Sequence, residues 1–146
     1  MPSLSGIGII LFTVFFMEGF AWWMHKYILH GPLWFLHKSH HTPRTSWWEL
    51  NDLVSLIYGI LAAVFIVYGI LSSHWIQYIG WGITAYGLLY FTFHDVIIHR
   101  RIKIRYKFSN KYIRRLIRAH KVHHKHLHKE GSEAFGFLYA SKKYQP

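Results

Sequence analysis

The chain has 146 residues, of which 52% are hydrophobic, 19% aromatic and only 16% charged, with no cysteine and 13 histidines. That length suits one domain; the apolar excess excludes disorder, and a soluble domain usually carries about a quarter charged residues. Without cysteine there is no disulfide scaffold, thiolate zinc site, iron–sulfur cluster or cysteine-ligated haem, so any metal is held by nitrogen and oxygen.

The first element in the chain is an apolar run from Leu4 to Trp23 whose only charge is Glu18. Its length matches the roughly 20 residues a helix needs to cross a bilayer. No Lys or Arg precedes it and no small-residue cleavage site follows, which argues against a signal peptide. A polar loop over 24–52 comes next. Asn51-Asp52, either of which can cap a helix start, introduces a second uncharged run, Leu53 to Leu71. Ser72-Ser73-His74 predicts a short hairpin, and Trp75 to Phe93 is the third run. The tail is basic: residues 100–146 hold 14 of the 17 Lys and Arg and net +12, while residues 1–99 net −1. It includes an amphipathic stretch, Tyr112 to Arg118, suited to a membrane surface.

These runs predict an all-α integral membrane protein with about three to four transmembrane helices in a single domain, 1–146. The spans fall at about 4–24, 53–71 and 75–93, with a loop at 24–52 and a basic tail at 100–146. The Lys and Arg bias puts the N-terminus outside and both loop and tail in the cytoplasm. A basic segment beside an apolar one fits nucleic acid, anionic lipid or an acidic protein. Lipid comes first, because the apolar runs need a bilayer.

Ten of the histidines fall into four clusters. His25 and His30 have an HX4H spacing; His37, His40 and His41 have HX2HH. His94 and His99 repeat the first spacing, and His120, His123 and His124 repeat the second. Positions i, i+3 and i+4 share a helix face, so each HX2HH box can aim three imidazoles at one point. Residues five apart lie about 140° around a regular helix, so each HX4H pair converges only where the helix distorts or ends. Gly31-Pro32 can end the first helix. After His99 no breaker follows, which leaves a π-bulge or two separate metals. The predicted topology sets all four clusters just beyond the cytoplasmic surface. His74 lies on the opposite side with no assigned role, and His126 and His128 are read as exposed tail residues.

Ten imidazoles exceed the needs of one ion, and two metals with about five ligands each fit an octahedral preference with a position left open. Imidazole suits zinc, copper, iron or nickel, so the ligands do not choose among them. There is no HExxH zinc motif and no Glu-x-x-His of the carboxylate di-iron bundles. The remaining redox option is a histidine-rich di-iron centre beside the membrane. Metal-bound histidines usually donate their second N–H to a carboxylate or carbonyl, which makes Asp95, Glu49 and Asp52 the candidates to receive it, although Asp52 serves equally as a helix cap. Trp22, Trp23, Trp34, Phe35, Trp47 and Trp48 suit either a polyene channel or an interfacial belt.

The stretch His25 to His41 with Gly31-Pro32-Leu33-Trp34-Phe35-Leu36 between its boxes resembles bacterial β-carotene hydroxylases. So do Glu49-Leu50-Asn51-Asp52, Phe93-His94-Asp95 with His99-Arg100-Arg101, Arg114 to His124, and Glu133 to Tyr139. The resemblance covers nearly the whole chain and implies membership of the fatty acid hydroxylase/sterol desaturase superfamily. It implies oxygen-dependent hydroxylation at C3 of β-ionone rings, taking β-carotene through β-cryptoxanthin to zeaxanthin. The implied cofactors are two iron ions, which zinc can replace in a purified protein, with O2 as co-substrate.

No flavin, haem or nicotinamide motif is present, so electrons come from outside. Ferredoxins are acidic, and the +12 tail would attract one, although the same tail suits lipid equally. The short N-terminus has no plastid transit peptide and reads as bacterial, placing the enzyme in the cytoplasmic membrane with its active site facing the cytoplasm. The rival readings are a related lipid or sterol hydroxylase or desaturase, a b-type haem membrane protein, and a metal carrier.

Overall fold

The computed structural model describes residues 4–43, 46–103, 105–106, 108–127 and 133–145. Helix α1, Leu4–Trp23, continues directly into a π-helical segment, Met24–Leu29, and together they form an apolar rod of 26 residues. Helix α3, Asp52–Leu71, is the second such rod. Among the described residues these two are long and apolar enough to cross a membrane. Both are hydrophobic around most of their circumference. Phe12, Phe15 and Phe16 on α1 and Leu56, Ile57, Ile60 and Val64 on α3 face outward, as expected of helices solvated by lipid.

The third apolar run behaves differently. It forms α4, Ile76–Tyr90, followed by a second π-helical segment, Phe91–Ile98, and does not join α1 and α3 as a helix of membrane length and hydropathy. Its position explains the composition. Helix α4 packs against both α1 and α3, and it achieves this by removing side chains. A Cβ at Gly80 would meet the Ala62 carbonyl oxygen at 2.7 Å, and one at Gly82 would meet Thr13 Cβ at 2.5 Å. Small residues at such crossings let backbones approach closely, at the expense of hydropathy.

The contacts fix the directions. Gly6 meets Tyr78, Gly82 meets Thr13 and Tyr86 bonds Glu18, so α4 runs parallel to α1. Gly69 meets Gln77 and Gly80 meets Ala62, so α4 runs antiparallel to α3. The predicted hairpin between them closes with Ser73 at φ 54 and a 2.8 Å bond from the His74 N–H to the Gly69 carbonyl, the 6→1 pattern of a Schellman helix end. The C-terminal ends of α1 and α4 and the N-terminal end of α3 therefore gather at one end of the bundle.

Two shorter helices cover that end: α2, Trp34–His41, and α5, Lys111–His123. Helix α5 starts where the Asn110 side chain accepts the Tyr112 and Ile113 N–H groups at 2.8 and 3.2 Å, a standard N-cap. Its amphipathic face, expected at a membrane surface, is covered by the chain itself. Leu116 and Ala119 cluster with Ala140 and Tyr144 of the C-terminal segment. That segment, 133–145, folds back over the end of the bundle and buries Phe135 and Phe137.

Candidate metal centre

Both HX4H pairs lie in π-helical turns. The His30 N–H bonds the His25 carbonyl at 3.0 Å and the His99 N–H bonds the His94 carbonyl at 2.9 Å. A π-turn closes its hydrogen bond five residues back, so residues five apart come onto one face. The distortion left open for His99 is thus present in both halves of the chain. At His30 the wider turn accompanies the Gly31-Pro32 break and already aligns the pair.

The structure brings nine of the ten clustered histidines into two compact groups. His25, His30, His37, His41 and His123 form one, and His40, His94, His99 and His120 the other; within each group one nitrogen per ring lies within 4.8 Å of all the rest. His124 sits at the junction. Its Nε2 is 2.8 Å from His120 Nε2, and its ring stacks on that of His41 with centroids 4.3 Å apart.

What stands behind each ring decides which nitrogen faces inward. In the first group His25 Nδ1 donates to the Phe135 carbonyl at 2.8 Å, His30 Nδ1 to Leu127 at 3.2 Å and His123 Nδ1 to Glu133 at 3.0 Å. His37 Nδ1 donates to Asn51 Oδ1 at 2.7 Å. In the second group His40 Nδ1 meets Glu49 Oε2 at 3.1 Å and His94 Nδ1 meets Asp95 Oδ1 at 2.8 Å. Each outer partner accepts, so each Nδ1 carries the proton and each neutral ring turns a bare Nε2 inward.

Bare nitrogens then face one another. His25 and His37 approach at 2.9 Å through Nε2, and His30 and His123 at 3.1 Å. With both Nδ1 atoms protonated, no proton is left between such a pair, and two lone pairs at that distance repel unless a cation lies beside them. Nitrogens about 2.0–2.1 Å from a metal and 90° apart would be separated by about 2.9 Å, which matches. His40 Nε2 and His41 Nδ1 are buried with no hydrogen-bond partner among the described residues, the state of a ligand atom. Burial, reinforced by neighbouring imidazoles, pushes His37 and His123 down to about 3, and burial pushes His124 down to about 4. Neutral imidazole is the form that binds metal. The donor set fits two ions of the iron, zinc, copper and nickel type.

Of the three carboxylates singled out in the sequence, Glu49 and Asp95 accept from histidines. Asp52 does something else. It grips Arg101 through both oxygens, at 2.6 and 3.1 Å, and accepts the Glu49 N–H at 3.0 Å. Arg101 also lies 3.2 Å from Glu49 and 3.9 Å from Asp95, so one buried guanidinium ties the three acids together. Arg101 and Asn51 carry no site signal in the sequence, since Arg101 is one cation of a basic tail and Asn51 stands at the start of a helix. Asn51 makes no side-chain cap bond, and its oxygen serves His37. His74 is at the far turn, where it accepts the Ile76 N–H. His126 belongs to neither group, and His128 lies outside the described residues.

A cavity of about 410 Å³ adjoins the first group. Met17, Phe20, Ala62 and Ile83 line it within the bundle, and His37, Asn51 and Asp95 line it at the histidine end. None of the six aromatics considered for a channel is in this wall; Trp22, Trp23, Phe35, Trp47 and Trp48 are exposed, and Trp34 packs its ring on His30 and His41.

Membrane-length helices, an apolar cavity and a ten-histidine cluster at one end of a bundle describe a membrane-associated metalloprotein. The chain belongs to the fatty acid hydroxylase family, a family of hydroxylating oxidoreductases, whose profile matches residues 10–141. It is 42% identical over 134 residues to a β-carotene hydroxylase of Pseudescherichia vulneris, covering 92% of this chain and 76% of that one. It is 46% identical over 132 residues to the β-carotene hydroxylase of Pantoea ananas, covering 90% and 75%. A chloroplastic β-carotene hydroxylase 2 of Capsicum annuum is 36% identical over 112 residues, covering 74% and 36%. No solved structure matches the chain to significance.

Proposed function

We propose that the protein is a non-haem di-iron monooxygenase that hydroxylates C3 of the β-ionone rings of carotenoids, converting β-carotene to β-cryptoxanthin and then zeaxanthin. The carrying observation is the pair of histidine groups at the end of an apolar cavity that His37 of the first group lines, in a chain over 40% identical to bacterial β-carotene hydroxylases. In this reading His25, His30, His37, His41 and His123 hold one iron, and His40, His94, His99 and His120, with His124, hold the other. Iron bound there supplies the reductive activation of O2. The overall change replaces a ring C–H by C–OH, consumes O2, two electrons and two protons, and releases water.

The chain's own residues do the rest. Its cavity lies within the roughly 300–1,000 Å³ range of ligand sites and suits one ring end of a long polyene, the remainder lying in lipid. Met17, Phe20 and Ile83 exclude water from the ring, and His37 and Asn51 mark the end nearest the metals. The proposed setting is a bacterial cytoplasmic membrane crossed by spans at about 4–24, 53–71 and 75–93, in one domain, with the metal site on the cytoplasmic side. Arg114, Arg118 and Lys121 are exposed along α5 and would steer an acidic donor such as ferredoxin.

The test is pigment analysis of β-carotene-accumulating bacteria expressing the chain aerobically. Zeaxanthin and β-cryptoxanthin are expected; good expression with no hydroxylated carotenoid would refute the reading.

A further inference from the structure

We propose that Glu18, a carboxylate inside the first apolar helix, is a positioning residue that latches the C-terminal segment onto the first histidine group and thereby orients His25 and His123. Two of that group's five imidazoles donate to carbonyls of this segment, His25 to Phe135 and His123 to Glu133. The Phe137 ring also lies flat on His25, centroids 5.3 Å apart and 7° from parallel. The segment between these contacts is irregular, so it has no helical ladder of its own to hold those carbonyls in place.

Glu18 supplies the hold. Its Oε1 accepts the N–H groups of Phe137, Leu138 and Tyr139 at 3.0, 2.9 and 3.1 Å, and its Oε2 accepts the Tyr86 hydroxyl at 2.9 Å. Four bonds to an ionised acceptor are individually about twice as strong as neutral ones. They also satisfy a charge that would otherwise be costly in an apolar helix. Gly136 is an independent sign of the same contact: a Cβ there would lie 3.0 Å from Glu18 Oε1 and 3.2 Å from the Tyr139 carbonyl oxygen. Glu18 stands two helical turns before His25, so the latch and the imidazole it serves are on the same rod. The second histidine group is held differently, by Glu49 and Asp95.

The inference rests on the two-metal reading, and its signature is selective. In full-length, detergent-purified protein titrated with Co²⁺ and followed by visible absorption, Glu18→Ala should weaken one of two sites by about 10–100-fold, the usual effect of losing an outer partner, and leave the other unchanged. Gly136→Ala, which leaves the bundle helices untouched, should weaken the same site. Glu18→Gln keeps the Oε1 acceptor and should recover most of the affinity. In metal-free protein the amides of Phe137, Leu138 and Tyr139 should exchange slowly in the wild type and quickly in Glu18→Ala. Loss of both sites together in both variants, no loss in either, or a Gln variant as damaged as the Ala variant would overturn the latch. Fewer than two Co²⁺ in the wild type would overturn the metal reading instead, a failure told apart because the exchange comparison needs no metal.

Discussion

The two histidine groups have the same inner chemistry and opposite surroundings. Behind the first stand neutral acceptors: the carbonyls of Phe135, Leu127 and Glu133 and the amide of Asn51. Behind the second stand two carboxylates, Glu49 and Asp95, bound into one cluster with Asp52 by Arg101. A carboxylate partner raises the basicity of the imidazole that donates to it. A repeated histidine pattern in the sequence therefore folds into two groups with inequivalent surroundings, the second better suited to carry positive charge. The first borrows its partners mainly from backbone and so depends on how the C-terminal segment lies.

The largest expected effect comes from removing an inner ligand from either group. His40→Ala or His123→Ala should lower carotenoid conversion by well over the roughly 10–100-fold that losing an outer partner costs, while His74→Ala, at the far turn, should leave it unchanged. Pigment yield at matched protein level measures this. Full conversion by either ligand variant would dissolve the group to which it is assigned.

Next comes Arg101, because one change there frees three acids at once. Its side chain is only 9% exposed, and removing one partner of a buried ion cluster typically costs about 3–5 kcal/mol. Arg101→Leu should lower thermal stability by about that amount and deplete the second group of metal before the first. Arg101→Lys retains the charge but loses the two-pronged grip on Asp52, and should fall between. Equal metal loss from both groups in the Lys variant would mean that the asymmetry is not functional.

A milder pair of variants addresses the asymmetry directly. Glu49→Gln keeps an acceptor for His40 and removes the charge; Asn51→Ala removes the acceptor for His37. Each should weaken metal binding by about 10-fold, at the low end for outer partners, the first at the second group and the second at the first. Metal titration separates the two patterns.

The sequence made some of this visible and hid the rest for identifiable reasons. The apolar runs at Leu4 and Leu53 coincide with α1 and α3 to within a residue, because lipid-facing helices need only hydropathy and length. The third run was legible as a helix, but not its central packing, since glycines at 80 and 82 matter through the neighbours they admit. The four histidine clusters announced a metal centre; their division between two groups required π-turns, and a π-turn has no residue signature of its own. Backbone carbonyls are equally silent, so three of the six outer partners named above could not be read from residue types. Glu18 is the exception: a lone carboxylate in an apolar run is itself a sequence signal of a buried partner.

The smallest effect belongs to the exposed face of α5. Arg114, Arg118 and Lys121 follow one another at i, i+4 and i+7 on the side away from the buried Leu116, Ala119 and His120, so they form a basic stripe over the end of the bundle that holds both groups. Arg115 is not equivalent to them. It is partly buried and lies over the Tyr112 ring at 5.6 Å, which makes it a packing residue and a poor choice for this test. Arg118 also donates to the Gln145 carbonyl at 3.0 Å, so Arg114→Gln with Lys121→Gln is the cleaner double variant. Exposed charges act on association rates and are screened beyond about 8 Å at physiological ionic strength. The double variant should therefore slow turnover driven by an acidic protein donor only a few-fold, with added salt reproducing the loss in the wild type. Turnover driven by a small chemical reductant should be unchanged, because that route does not need the stripe. Equal slowing by both routes would assign the stripe to lipid headgroups or to holding α5 in place.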